Sequence, residues 1–398
     1  MIELIGIVIA FVIIFVLRFK AVDFALTILV ASAIIGVTSG KPFTIFWDVL
    51  VRTTSDYATW DLCASVALIT VLSYALKESG MMEKLIQSLR SFLPSRVLLA
   101  LIPALFGILS MPGGALMSAP FNEPEAERLR LKPEQRTYIN VWFRHVWYWA
   151  SPISPTTILA SSLAGVALRD FIISNLPLFV AAWAIGFLVS WRFVKEDHRE
   201  DVGEKNYLAA LTGLSPILVA VALTLVGVSI WLSVAIGVVI VVALNRVDAG
   251  RTFGFLRKGV KWDIVTAVFA TLYFRYMMVT SGSVESVFRD IISSGVPILA
   301  LMIFVPILVG AISGTPTMGI GIIFPLLLPL VVGLDVHSLT IMFAGLVSGY
   351  TISPMHLCLI LTNQYYRSDL NKVYRYLVPS IVALYALAVL YHLVTGGL

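Results

Sequence analysis

The stretch Trp149-Ala150-Ser151-Pro152-Ile153-Ser154-Pro155-Thr156-Thr157 sets prolines and hydroxyls in the middle of an apolar run. Its counterpart, Ser348-Gly349-Tyr350-Thr351-Ile352-Ser353-Pro354-Met355-His356, does the same in the other half of the chain. Ile153-Ser154-Pro155 and Ile352-Ser353-Pro354 are one of several matched pairs. Working outward, Gly107 and Ser110 return as Gly310 and Ser313, Ser79-Gly80 as Ser281-Gly282, and Trp60-Asp61 as Trp262-Asp263. Each match lies about 200 positions on and in the same order, the mark of an internal duplication. The chain divides into a first repeat at 1–195, a cytoplasmic linker at 196–206 and a second repeat at 207–398.

The 398 residues are 59% hydrophobic and only 13% charged, against about 25% charged in a soluble domain. A bilayer is therefore the expected solvent. Apolar runs predict ten spans: 2–18, 22–38, 60–80, 137–168 and 171–192, then 207–226, 229–246, 262–281, 337–366 and 376–395. Ile2 to Leu17 reads as the first span, because no basic leader precedes it and no small-residue cleavage site follows. Cys63 and Cys358 make no disulfide framework and read as small packing residues. The net charge of +5 does not signal nucleic acid, since the basic residues sit at span ends.

Five spans per repeat would turn the second copy upside down relative to the first. The distribution of positive charge tests this independently. Segments 18–20, 77–96, 128–136, 192–205, 246–261 and 367–375 hold 22 of the 28 Lys and Arg. The other side holds Lys41, Arg52, Arg169 and Arg289. Both termini are therefore expected outside, and the charged loops in the cytoplasm. Phe43 to Asp56, Met81 to Phe92, Arg251 to Lys261 and Val284 to Ile292 read as interfacial helices: loop-flanking surface pieces, or arms between a fixed scaffold and a moving unit.

Two further stretches, 95–122 and 296–333, are long and apolar but interrupted. One runs to Gly107-Ile108-Leu109-Ser110-Met111-Pro112-Gly113-Gly114, the other to Gly310-Ala311-Ile312-Ser313-Gly314-Thr315-Pro316-Thr317-Met318-Gly319. Proline removes a donor and glycine permits close backbone approach. Unpaired backbone groups at membrane depth persist only where protein, water or a ligand satisfies them. Each stretch is expected to form a re-entrant hairpin, with the helix leaving its tip aiming a positive N-terminal end inward, which suits an anion. The fold expected is thus an all-α polytopic membrane protein of two inverted-topology repeats, each with one re-entrant hairpin and one broken helix.

This layout resembles the ion-transporter superfamily of secondary carriers, which includes gluconate permeases and divalent-anion/sodium symporters. It looks most like an uncharacterised family of ten-span prokaryotic membrane proteins. In the symporters, Ser-Asn-Thr hairpin tips and the broken spans form the sodium and carboxylate sites. Ser110 and Ser313 match the first Ser and Thr315 the Thr, while Met111 and Gly314 stand where the Asn is expected. The resemblance implies Na⁺ or H⁺ coupling, an elevator-type movement and a homodimer.

No Asp or Glu falls in the middle of a span, whereas Arg144, His145, Arg275 and His356 do. Ionisable groups at depth usually face a cavity and carry function. Cations and helix N-termini without carboxylates point to an anionic substrate. Arg144 reads equally as a carboxylate ligand or as a side chain snorkelling to the surface. Arg275, nearer mid-span, reads as a substrate ligand or as a partner of a main-chain carbonyl. His145 and His356 read as substrate or proton groups, or as hydrogen-bonded packing residues. Trp142 and Trp147 to Trp149 read as packing and interfacial anchors. No Cys–His or His–Glu spacing suggests zinc.

The substrate site is expected at Ser110, Gly113, Gly114, Arg144, Ser154, Thr156, Arg275, Ser313, Thr315, Thr317, Ser353 and His356, with Na⁺ near Ser110, Ser154, Ser313, Thr315 and Ser353. No other cofactor is expected. The function expected is secondary active transport of a small organic anion, a carboxylate, by alternating access across the plasma membrane, with membrane lipid as the other partner. The alternatives are an inorganic-anion carrier or exporter, a channel, or an intramembrane enzyme using His145 and His356. The enzyme reading lacks a nucleophile-base-acid set, a metal motif and a phosphate loop.

Overall fold

The computed structural model describes residues 2–20, 22–108, 114–193, 206–282, 295–313, 315–331 and 334–395. The interfacial helix expected at 284–292, and the hairpin-tip residues Ser110 and Gly113, lie outside the described residues. The described chain is helical, with no strand among the described residues.

Several helices are long enough to cross a bilayer. These are α4 (Tyr57–Glu78), α10 (Leu168–Trp191), α11 (Tyr207–Leu225), α14 (Trp262–Ser281) and α19 (Leu370–Thr395), together with the broken run Val336–Tyr366. The remaining apolar helices α1 (Ile2–Phe19), α2 (Phe24–Thr38) and α12 (Ile230–Leu244) coincide with expected spans. α2 and α12 have 15 residues each. They rise about 23 Å, short of the roughly 30 Å hydrocarbon core. Large apolar side chains such as Val8, Leu26, Val180, Leu188, Leu211, Val239 and Val382 point outward. That is where lipid, not water, would meet them.

The expected breaks are present. The first hairpin is α6 (Ser95–Ile108) followed by α7 (Gly114–Arg128), which runs several residues beyond the expected end. The second is α15 (Ile298–Ser313) and α16 (Pro316–Leu327). The first broken span is α8 (Pro133–His145), a 3-10 turn (Val146–Trp149) and α9 (Pro155–Ala164). The second is α17 (Val336–Ile352) and α18 (Leu357–Tyr366). Proline sits at the first helical position of α8, α9 and α16, where its missing N–H would have no intrahelical partner. α6, with 14 residues, rises about 21 Å, less than the roughly 30 Å hydrocarbon core.

The segments expected to be interfacial form α3 (Ile45–Ser55), α5 (Met81–Arg90) and α13 (Ala249–Gly259). The elements pack as two groups, and each group draws on both halves of the sequence. α1, α2, α4, α11, α12 and α14 form one, with α3 on α14, α5 on α11 and α13 on α4. α6 to α10 and α15 to α19 form the other. The groups meet where α14 packs on α16 and α4 on α9.

Within the second group the halves repeat one another's contacts. A Cβ on Gly107 would lie 2.0 Å from the Arg144 carbonyl oxygen, and one on Gly310 would lie 2.1 Å from that of Leu346. The outgoing hairpin helices then exchange partners: α16 packs on α9, and α7 on α18.

One buried charge network closes the base of the first hairpin. Glu125, 2% exposed, accepts from Arg90 Nε at 3.2 Å and from the Ser95 hydroxyl, with Arg128 Nη1 at 3.7 Å. It joins α5, α6 and α7. Glu125→Ala is expected to lower stability by about 2–4 kcal/mol, less than for a fully buried pair because both arginines reach water. Thermal unfolding of the purified protein, with Glu125→Gln as the milder companion, checks it.

Candidate functional site

The two breaks and the second hairpin tip come together in the core of the second group. Ser154 takes an extended conformation before α9, and its neighbour Thr157 donates from Oγ1 to the carbonyls of Ser151 and Ser154. That repairs part of the interrupted ladder. Thr156, one residue into α9, shares a 3.2 Å hydrogen bond with Thr317 of α16. Residues 161 positions apart thus join the first break to the second hairpin.

At the second break, Ser353 donates to the carbonyl of Ala311 near the end of α15 and accepts from the Met355 N–H at 3.0 Å. Ser313 donates to the carbonyls of Gly310 and Thr315, and Thr315 caps α16 by accepting from the Met318 N–H at 3.3 Å. These hydroxyls hold the hairpin tip against the break. Gly114 starts α7. From α7, Ser118 donates to Asn140 of α8 at 2.8 Å, and Asn140 donates to Thr362 of α18 at 3.3 Å.

Three hydroxyls behave differently. Ser151, Ser154 and Ser348 are buried, and no hydrogen-bond partner reaches their Oγ atoms among the described residues. A buried hydroxyl without a partner costs about 1–3 kcal/mol. All three lie in the broken stretches; the hydroxyl oxygens of Thr59, Ser190, Thr280 and Tyr374, outside the breaks, are likewise buried without a partner among the described residues.

The two imidazoles meet edge-on, with ring centroids 4.6 Å apart and planes at 78°. His145 Nε2 lies 3.1 Å from His356 Nε2, although the residues are 211 positions apart. Each Nδ1 is held by a main-chain carbonyl, of Val141 for His145 and of Thr351 for His356. The Tyr350 ring lies 4.2 Å from that of His356, tilted by 43°, and Tyr148 lies 5.3 Å from that of His145. Arg144 is buried beside His145 at the end of α8, next to this cluster. Cys358 completes a group of three metal-capable residues with the two histidines.

Arg275 stands elsewhere. It is half-buried, with its guanidinium 5.9 Å from the Tyr276 ring. The Tyr276 hydroxyl donates to Asp56 at 2.5 Å, and Arg52 lies over the same ring at 4.8 Å. None of these contacts joins Arg275 to the hydroxyls of the breaks. Ser151, Ser348, Tyr148, Tyr350 and Cys358 were not singled out in the sequence as site residues. The signal for Ser151 and Ser348 was their place in the quoted stretches.

These features define an all-helical polytopic membrane protein whose broken helices cross in a buried core lined by hydroxyls and imidazoles. The chain belongs to the DUF401 family, described as proteins of unknown function, whose family model matches residues 4–395. Its fold is similar to that in the crystal structure of the YdaH transporter from Alcanivorax borkumensis, which is described as having an unusual topology. The TM-score is 0.66 at 13% identity, over 88% of each chain. No curated protein matches it in sequence.

Proposed function

We propose that the protein is a secondary active transporter of a small organic anion, a carboxylate, working by alternating access at the crossing of its broken helices. The observation that carries this reading is the set of buried, unpartnered hydroxyls Ser151, Ser154 and Ser348 at the two breaks. No described residue satisfies them, and a bound anion or its coupling cation would. α7, α9, α16 and α18 each begin beside a break or a hairpin tip, so their positive ends favour negative charge there. Arg144 supplies the formal positive charge.

In this reading the repeats are inverted, which the exchange of partners between hairpins and breaks supports. The ion-transporter superfamily resemblance and the transporter described for the similar fold support a carrier, not an enzyme. Two groups of helices suit an elevator: α1 to α5 with α11 to α14 as scaffold, the rest as the moving unit. The plasma membrane, termini outside and a homodimer complete the proposal. Coupling is by H⁺, or by Na⁺ near Ser110, Ser154, Ser313, Thr315 and Ser353. Ser313 and Ser353 already spend their protons on main-chain carbonyls, which leaves their oxygens to act only as acceptors.

The test is thermal unfolding of purified protein against a panel of mono-, di- and sugar-acid anions, with Na⁺ or K⁺. An anion at 100 times its Kd stabilises the native state by about 2.7 kcal/mol. A midpoint raised by one carboxylate class supports the reading; no shift from any anion in folded protein overturns it. Ser154→Ala is expected to abolish that shift without lowering the midpoint of the ligand-free protein, since no described residue partners the lost hydroxyl. A ligand-free midpoint that falls by the equivalent of more than about 1 kcal/mol would make Ser154 structural instead.

A further inference from the structure

We propose that His145, His356 and Cys358 form a binding site for one d-block cation that prefers imidazole and thiolate, Zn²⁺ or Cu⁺, clamping the first broken span to the second. One ring nitrogen of each histidine and Cys358 Sγ lie within 4.8 Å of one another, and the three residues are 4%, 0% and 8% exposed. The proposal does not depend on the substrate being an anion.

The hydrogen bonds set the chemistry. A carbonyl oxygen only accepts, so the Nδ1 atoms facing Val141 and Thr351 carry the protons. Each neutral ring then presents a bare lone pair at Nε2, and the two lone pairs face each other 3.1 Å apart. Without a positive centre between them that arrangement is repulsive. The pattern is the one metal-ligating histidines show, the second nitrogen tied to a main-chain carbonyl that fixes tautomer and ring orientation. Two nitrogens each about 2.0–2.1 Å from a tetrahedral zinc stand about 3.3–3.4 Å apart, close to the observed separation.

The donor set selects the ion. Two nitrogens and a sulfur suit Zn²⁺ or Cu⁺ and do not suit Na⁺, Mg²⁺ or Ca²⁺, which require oxygens. On binding, the Cys358 thiol gives its proton to water and the thiolate offsets one unit of charge. That matters beside Arg144, because uncompensated charge at this depth is costly. Tyr148 and Tyr350 wall the cluster. His145 comes from the first half of the chain and His356 and Cys358 from the second, so the ion would tie α8 to α18.

The experiment uses full-length protein in detergent, stripped with chelator, desalted and reloaded with Zn²⁺, with Cu⁺ under reductant, or with Co²⁺ as a spectroscopic probe. We expect one equivalent retained, a raised thermal midpoint, and a thiolate-to-cobalt charge-transfer band. Which of Zn²⁺ and Cu⁺ competes out the cobalt names the ion. Cys358→Ser should lose the band and weaken binding by about 10-fold or more. Cys63→Ser, altering the other buried cysteine on α4, should change neither. The wild-type cobalt spectrum reports thiolate ligation even if a variant misfolds. No retained metal in folded protein, or retention unchanged in Cys358→Ser and His356→Gln, overturns the proposal. So does a nitrogen-15 spectrum showing a proton held between the two Nε2 atoms in protein that takes up no metal. The anion panel reads none of these signals, so failure of one proposal leaves the other standing.

Discussion

Gly310→Ala is expected to disrupt the second hairpin, lowering stability by about 3 kcal/mol or more, at the upper end of overpacking costs. The added methyl would sit 2.1 Å from the Leu346 carbonyl oxygen and 2.9 Å from the Tyr350 nitrogen. Both are backbone atoms, so no rotamer change relieves the contact. Relief requires α15 to move away from α17, which would break the Ser353–Ala311 hydrogen bond at the same crossing. Gly107→Ala should behave alike, because its methyl meets the Arg144 carbonyl at 2.0 Å. Gly254→Ala on α13 is the control: nothing lies within 4 Å of its new atom, and replacing a helix-interior glycine should gain up to about 1 kcal/mol. Thermal unfolding and size-exclusion profiles of the three variants decide the matter. A Gly310→Ala protein as stable as the parent would mean that the crossing is not as close as described.

Arg144→Gln is expected to reduce uptake of the carboxylate found in the anion panel by about 10–100-fold, the loss of one charged hydrogen bond. The close α6–α8 crossing uses the Arg144 main chain, not its side chain, so the variant should fold. Arg144 precedes His145 at the end of α8, just before the 3-10 turn of the first break. Arg275→Gln gives the contrast. Its contact is with the Tyr276 ring, which Arg52 and Asp56 share. We expect it to spare uptake, whereas a direct role in substrate binding would make the loss match that of Arg144→Gln. Counterflow uptake into liposomes, normalised to folded protein, reads both. Equal loss in the two variants would return Arg275 to the site.

Much of this architecture is legible in the chain. Spans follow from apolar length, and breaks from proline and glycine within apolar runs. The helices α6, α7, α15 and α16 stand where Gly107 to Gly114 and Gly310 to Gly319 interrupt the pattern. The first broken span departs from an ordinary crossing because α8 opens with the polar run Pro133 to Thr137 and gives way to a 3-10 turn at Val146. Matched glycines 107 and 310 could be read as a pair, but the carbonyls they approach could not.

What the sequence alone determined is therefore the local part: which segments are apolar enough to sit in a membrane, where each helix must break, and which hydroxyls and cations lie near the breaks. Those follow from short-range hydropathy and backbone sterics. Tertiary structure decided the rest. It paired Thr156 with Thr317 and His145 with His356, brought Cys358 to the histidines, drew Glu125 between Arg90 and Arg128, and set Arg144 and Arg275 in different surroundings. Those outcomes depend on where helices cross. A crossing is fixed by the shape of two surfaces at once, as where a Gly310 without a side chain meets the backbone of Leu346, and no periodicity along one strand of sequence records it.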